Sequence, residues 1–167
     1  MAKRIDSAVI ETSRVSFPDL DPDYTNLASV FHYFIGNTDF SPIATAIDKN
    51  CCHNHSLFGN EGEKIYSVPY DFDMTGFVNA PHARPNPRFK LRNVRDRRYR
   101  GRCFNNSHIP ASVERFFVQR EEIYALIDRQ DLMTDATRKS MLRFVDDFYK
   151  SLNGPEKISK ELNKDCV

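Results

Sequence analysis

The stretch CCHNHSLFGNEGEKIYSVPYDFDMTG, residues 51 to 76, gathers Cys51, Cys52, His53, Asn54, His55, Asp71 and Asp73 around a short apolar run. Side chains of these types support two chemistries. Cysteine and histidine are zinc ligands, whereas carboxylate and amide oxygens hold magnesium and orient phosphoryl groups. Structural zinc sites usually draw ligands in pairs a few residues apart, because adjacent side chains on an extended chain point to opposite faces. Cys51, Cys52, His53 and His55 offer one cluster, but Cys103 and Cys166 lie too far along the chain to form a second pair at a usable spacing. The bland alternative makes the cysteines small buried hydrophobes. Adjacent cysteines rarely bridge each other, so the redox state stays open.

The oxygen ligands need elements that bring them together. In YTNLASVFHYFIGN, Leu27, Val30, Phe31, Phe34 and Ile35 recur at helical spacing, with Thr25 or Asn26 as N-cap and Gly36 as the stop. That predicts a buried helix delivering Asn37, Thr38 and Asp39 at its C-terminal end. Residues 40 to 52 read as a loop. The β-formers around Leu57 and in KIYSVPY flank the turn signal NEGE, which predicts a hairpin of two short strands. In such a hairpin the start of the first strand lies beside the end of the second, so Asn54 and Asp71 become neighbours, with Asp73 close by. Magnesium takes few protein oxygens and completes its shell with water and phosphate. Asp39, just ahead of the hairpin, is placed to orient an acceptor hydroxyl and take its proton. Against this stands a turn-forming Asp71 and Asp73 pair satisfied by backbone N–H groups and by Arg95 or Arg98.

The chain of 167 residues suits one domain with its own core, residues 1–167, and thirteen Phe with seven Tyr argue for a folded protein. Its last third is predicted helical. One helix starts at Ser112 with Phe116, Phe117, Ile123, Tyr124 and Ile127 on one face, and a second is capped by Thr134 and ends before Gly154 and Pro155. The net charge of +1 implies no global electrostatic partner, yet residues 88 to 103 hold eight Arg or Lys against one Asp. That surface could hold an anionic ligand at Arg92, Arg95 and Arg98. Nucleic acid is disfavoured, because few aromatics and no recognisable binding motif accompany the arginines. The plainer reading has several arginines pairing inside the protein with acidic groups or helix C-termini. No segment has the apolar length to cross a bilayer, and no signal-peptide pattern opens the chain, so a membrane is not expected and the compartment is undefined.

GNTD, then HN, then a hairpin ending in VPYDFD resembles the catalytic half of the spore-coat CotH-type kinases, a divergent branch of the protein-kinase-like fold. The longer run FHYFIGNTDFSPI, CCHNHSLFG, IYSVPYDFDMTGFVNAPHARPNP and VRDRRYRGRC is similar to a family of bacterial proteins that carry nearly this string near their C-terminal end. The resemblance implies an α+β, mainly helical C-terminal lobe of a protein-kinase-like fold, with a small β-hairpin carrying the catalytic and metal motifs. It implies Mg2+ and ATP as cofactors, Asp39 as catalytic base, His53 and Asn54 on the cofactor side, and Asn54, Asp71 and Asp73 as metal ligands, with an unknown protein or small molecule as acceptor. The spacing from Asp39 to Asn54 exceeds that of a protein-kinase catalytic loop, and no glycine-rich loop or strand lysine is present. The amino-terminal nucleotide lobe of such kinases has no counterpart here. The chain therefore reads as a C-terminal fragment, expected to be inactive or nearly so on its own. The alternative is a non-catalytic, pseudokinase-like module that uses its arginine-rich surface to bind an anionic partner.

Overall fold

The computed structural model describes residues 8–12, 14–43, 51–164 and 166–167. Along the chain run β1 (Ala8–Ile10), α1 (Pro22–Ile35), β2 (His55–Gly59), β3 (Tyr66–Pro69), α2 (Ile109–Val118), α3 (Arg120–Asp128), α4 (Asp135–Ser151) and α5 (Pro155–Ile158). The result is a mixed α+β fold whose strands form one antiparallel sheet in the order β1-β2-β3. The expected hairpin is present: His55 lies opposite Pro69 and Phe58 opposite Tyr66. β1 was not anticipated; it covers the other edge of β2, with Val9 opposite Phe58. Most of the loop expected over residues 40 to 52, namely 44 to 50, lies outside the described residues.

Helix α1 begins four or five residues earlier than expected. Asp21 is its N-cap, accepting the Tyr24 amide at 2.8 Å, and Pro22 occupies the first turn, where a missing N–H costs nothing. Thr25 and Asn26 are buried inside the helix instead of capping it. Gly36 does end it, at φ 65° in the left-handed region that glycine enters freely. α2 likewise starts before Ser112, which is buried within it; His108 precedes its first residue and Pro110 sits in the first turn. The single helix expected from Ser112 breaks at Gln119 into α2 and α3. α4 starts where expected, with Thr134 accepting the Thr137 amide at 3.2 Å.

The main core packs Val30, Tyr33, Phe34 and Ile35 of α1 against Ile109, Val113, Ile127, Val145, Phe148, Tyr149 and Leu152. A smaller cluster of Val15, Leu20 and Leu57 lies under the sheet, and Cys51 and Cys52 pack against it. The Cys51 and Cys52 side chains lie side by side, and Cys103 is bonded to Cys166. That bond ties the end of the chain to the segment that also pairs Val167 N–H with the Gly101 carbonyl.

The arginine-rich segment crosses the C-terminal end of α1, whose last carbonyls have no partner within the helix. Arg97 donates to the Tyr33 and Phe34 carbonyls and, from α4, to Phe144 O at 2.6 Å. Its guanidinium also lies 3.7 Å over the Phe144 ring. Arg95 donates to the Gly76 and Ser140 carbonyls, and Arg100 to those of Thr38 and Phe40. Phe77 and Gly76 amides take the Ile35 and Gly36 carbonyls. Gly76 must be glycine here: a Cβ would sit 2.7 Å from Val94 O and 2.8 Å from Arg95 Cα. The helix end that carries Asp39 is thereby welded to the segment that follows Asp71 and Asp73.

Candidate functional site

Asp39 sits on the loop after α1, half-exposed. Its Oδ1 accepts from His53 Nε2 at 2.9 Å, and Asn54 Nδ2 donates to both its backbone carbonyl (2.8 Å) and its Oδ2 (3.2 Å). Its own N–H donates to Asn37 Oδ1 at 2.8 Å. The side chains of Asp39, His53 and Asn54, remote or adjacent in sequence, thus form one hydrogen-bonded group. Asn37 steadies the loop through its side chain, and Gly36 before it is left-handed.

Asn54 precedes β2, and the Tyr70 amide donates to its carbonyl at 2.9 Å, so the chain passes directly from this pair to Asp71. Asp71 is exposed, and Asp73 accepts from His82 Nε2 at 2.7 Å. The His82 contact comes first among the causes holding the Asp73 carboxyl below its ordinary value. His82 was not singled out in the sequence; its signal was only proximity to the carboxylates. Arg95, expected as a partner of Asp71 and Asp73 in the turn reading, is spent on carbonyls instead. Two of its donors are thus engaged on backbone carbonyls. Among the described residues, no side-chain hydrogen bond joins the Asp39 group to the Asp71 group, and no three His, Cys, Asp or Glu side chains converge as a ready metal cluster.

With Nδ2 committed to Asp39, Asn54 keeps Oδ1 as its remaining polar side-chain atom. Asp71 and Asp73 are both exposed to water. His55, one of the four residues of the zinc reading, turns into the core.

Asn54 and Asp71 share a second feature, φ of 56° and 59°. The left-handed conformation costs a non-glycine residue about 1–2 kcal/mol, and such strain gathers at functional sites. Asp71→Gly is accordingly expected to raise stability by about 0.5–1 kcal/mol, after the larger unfolded-state entropy of glycine is subtracted. A rise in urea midpoint while a candidate ligand is lost would show that residue 71 is kept at the expense of stability; a drop would show that its side chain holds the fold.

Behind this surface lies a buried polar chain that sequence reading missed. His32 of α1, His55 of β2 and Ser67 of β3 are almost completely buried. His32 Nε2 meets His55 Nε2 at 2.9 Å, His32 Nδ1 meets Asn37 Nδ2 at 3.2 Å, and His55 Nδ1 reaches Ser67 Oγ at 2.9 Å. The His32 ring stacks on Phe40 with centroids 3.6 Å apart, and Arg100 lies over the same phenyl ring. The signal available was two histidines inside apolar runs, where a buried polar ring must find partners.

Burial lowers His55 to about 4 and His32 well below its ordinary 6.5, with Arg100 adding to the effect on both. The unfolded chain therefore binds protons that the folded one refuses as pH falls through 6.5. Stability present above pH 6.5 is lost on the way down to about 4, by about 3 kcal/mol from His55 alone. Urea unfolding between pH 7 and 4 measures it. Asp19 and Asp73 carboxyls, held below 3.8, contribute losses only at lower pH, so the two effects separate.

Below the Asp71 and Asp73 pair, Phe72 forms one wall of an apolar cleft of about 410 Å³ shared with Tyr24, Leu27, Phe31, Val68 and Phe116. No helix among the described residues is long and apolar enough to cross a membrane. Comparison with family models, curated proteins and solved structures gives no match to the chain.

Proposed function

We propose that the chain is the C-terminal catalytic lobe of an atypical, CotH-like kinase that transfers phosphate from Mg-ATP, in the complete protein, to an acceptor hydroxyl. The observation that carries this reading is the bidentate grip of Asn54 Nδ2 on Asp39, at the mouth of a hairpin whose second strand runs into Asp71. A candidate base and a candidate metal ligand thus touch, with two further carboxylates one strand away. In this reading Asp39 accepts the acceptor proton, while His53 fixes the carboxylate from its other oxygen. Asn54 Oδ1, Asp71 and Asp73 would hold Mg2+, which neutralises charge on the phosphates when bound.

Incubation of the purified complete protein with labelled ATP tests it. Label transfer that requires Mg2+ supports the reading; its absence at every divalent ion tried, together with no Mg2+ binding, overturns it. The arginine-surface module loses ground as a second reading because Arg95, Arg97 and Arg100 bind backbone carbonyls of their own chain.

A further inference from the structure

The buried chain behind Asp39 has a direction. A backbone N–H can only donate, so the bond from Asp39 N–H fixes Oδ1 of Asn37 as acceptor and turns its Nδ2 toward His32. Nδ2 also only donates. His32 Nδ1 is therefore the bare nitrogen, and a neutral His32 carries its proton on Nε2. That proton points at His55 Nε2, which must be bare in turn, leaving the His55 proton on Nδ1 to reach Ser67 O and Oγ at 3.0 and 2.9 Å. The Ser67 hydroxyl then donates to the Pro42 carbonyl at 3.0 Å. Each link has one donor and one acceptor, and neutral rings, as deep burial favours, satisfy all of them.

The two ends of this chain are Asn37 and Pro42, which bracket Asp39. Its middle spans α1, β2 and β3, the elements that also position Asn54 and Asp71. We propose that His32 and His55 are positioning residues for Asp39: their hydrogen bonds, read in one direction, clamp both sides of the loop that presents its carboxylate. The inference rests on the reading of Asp39 as the reacting carboxylate, and it assigns the histidines no contact with substrate. Reversing one ring would propagate. A proton on His32 Nδ1 would face the Asn37 amide, turn that amide over and present an NH2 group to the Asp39 N–H.

The test is nuclear magnetic resonance of the 15N-labelled chain, which reads imidazole tautomers and amide exchange. The expected wild-type state has His32 protonated on Nε2 and His55 on Nδ1, and this measurement needs no variant. His55→Gln supplies an acceptor oxygen near the Nε2 position and is expected to keep the His32 tautomer and Asp39 amide protection. His55→Phe keeps the ring but removes both nitrogens. It is expected to shift His32 to the Nδ1-protonated form and to speed Asp39 amide exchange about tenfold relative to Val30 in α1. Opposite tautomers in the wild type overturn the proposal. So does a folded His55→Phe variant in which Asp39 and Val30 exchange rates change in step, because that is what simple loss of stability produces. None of these readouts uses nucleotide or metal. A wrong tautomer therefore refutes the positioning role alone, and absent phosphate transfer refutes only the assigned reaction.

Discussion

Asp39→Ala in the complete protein is expected, on the proposed kinase reading, to lower Mg-ATP-dependent phosphoryl transfer about 100- to 10,000-fold, the span that removal of a positioned general base produces. The fold should survive, because the Asp39 side chain is 39% exposed and its partner His53 is 42% exposed. The backbone carbonyl of residue 39, which takes the shorter of the two Asn54 bonds, remains in the variant. Steady-state kinetics with unfolding curves for both proteins checks the pair of claims. A variant that transfers phosphate as fast as the wild type would remove Asp39 from the chemistry, whatever the hairpin holds. Loss of activity with an equal loss of folded protein would say that residue 39 acts only through structure.

Arg97→Ala is expected to cost about 3 kcal/mol, the upper end of the range for leaving buried polar groups without their hydrogen-bond partner. Three carbonyls lose the Arg97 donor together, Tyr33 and Phe34 at the end of α1 and Phe144 on α4, and Tyr33 keeps only the Gly36 N–H. Burial lowers the guanidinium only to about 10, so it carries its charge at neutral pH and its bonds are charge-assisted. Arg92, by contrast, is exposed, and its backbone N–H donates to Asp96 Oδ2 at 2.7 Å. Arg92→Ala should stay within about 0.5 kcal/mol of wild type. Urea midpoints for the two variants measure the difference. Equal, small effects would return the arginine cluster to the solvent and revive an anion-binding surface.

These contrasts show which parts of the molecule were legible in its residues. The hairpin was, because NEGE between two runs of β-formers is a local signal and the register follows from the turn. The stop of α1 at Gly36 and the cap of α4 at Thr134 were legible for the same local reason. The start of α1 was written in Asp21 and Pro22, but Thr25 and Asn26 are also good caps, and only packing shows that they are buried. The break between α2 and α3 at Gln119 carries no glycine or proline and belongs to tertiary packing. β1 is three residues long and is defined by its partner, not by its own pattern.

The site divides in the same way. The pairing of Asn54 with the strand leading to Asp71 follows from hairpin geometry, and the structure joins Asn54 to Asp39 as well. The roles of Arg95, Arg97 and Arg100 could not be read from a charge count, since a guanidinium bound to carbonyls and one facing water have the same letter. His32 and His55 lie 23 positions apart, and no spacing rule links a helix residue to a strand residue across a loop.

Manganese titration of the 15N-labelled chain is the most direct measurement of the central claim, that Asn54, Asp71 and Asp73 share one cation beside Asp39. Mn2+ occupies oxygen sites that suit Mg2+ and broadens the signals of nearby amides. The site described here predicts selective broadening at residues 39, 54, 71 and 73, reversed by excess Mg2+. Broadening confined to 71 and 73, or spread over unrelated acidic surface, would separate the two carboxylates from Asn54 and contradict the shared site.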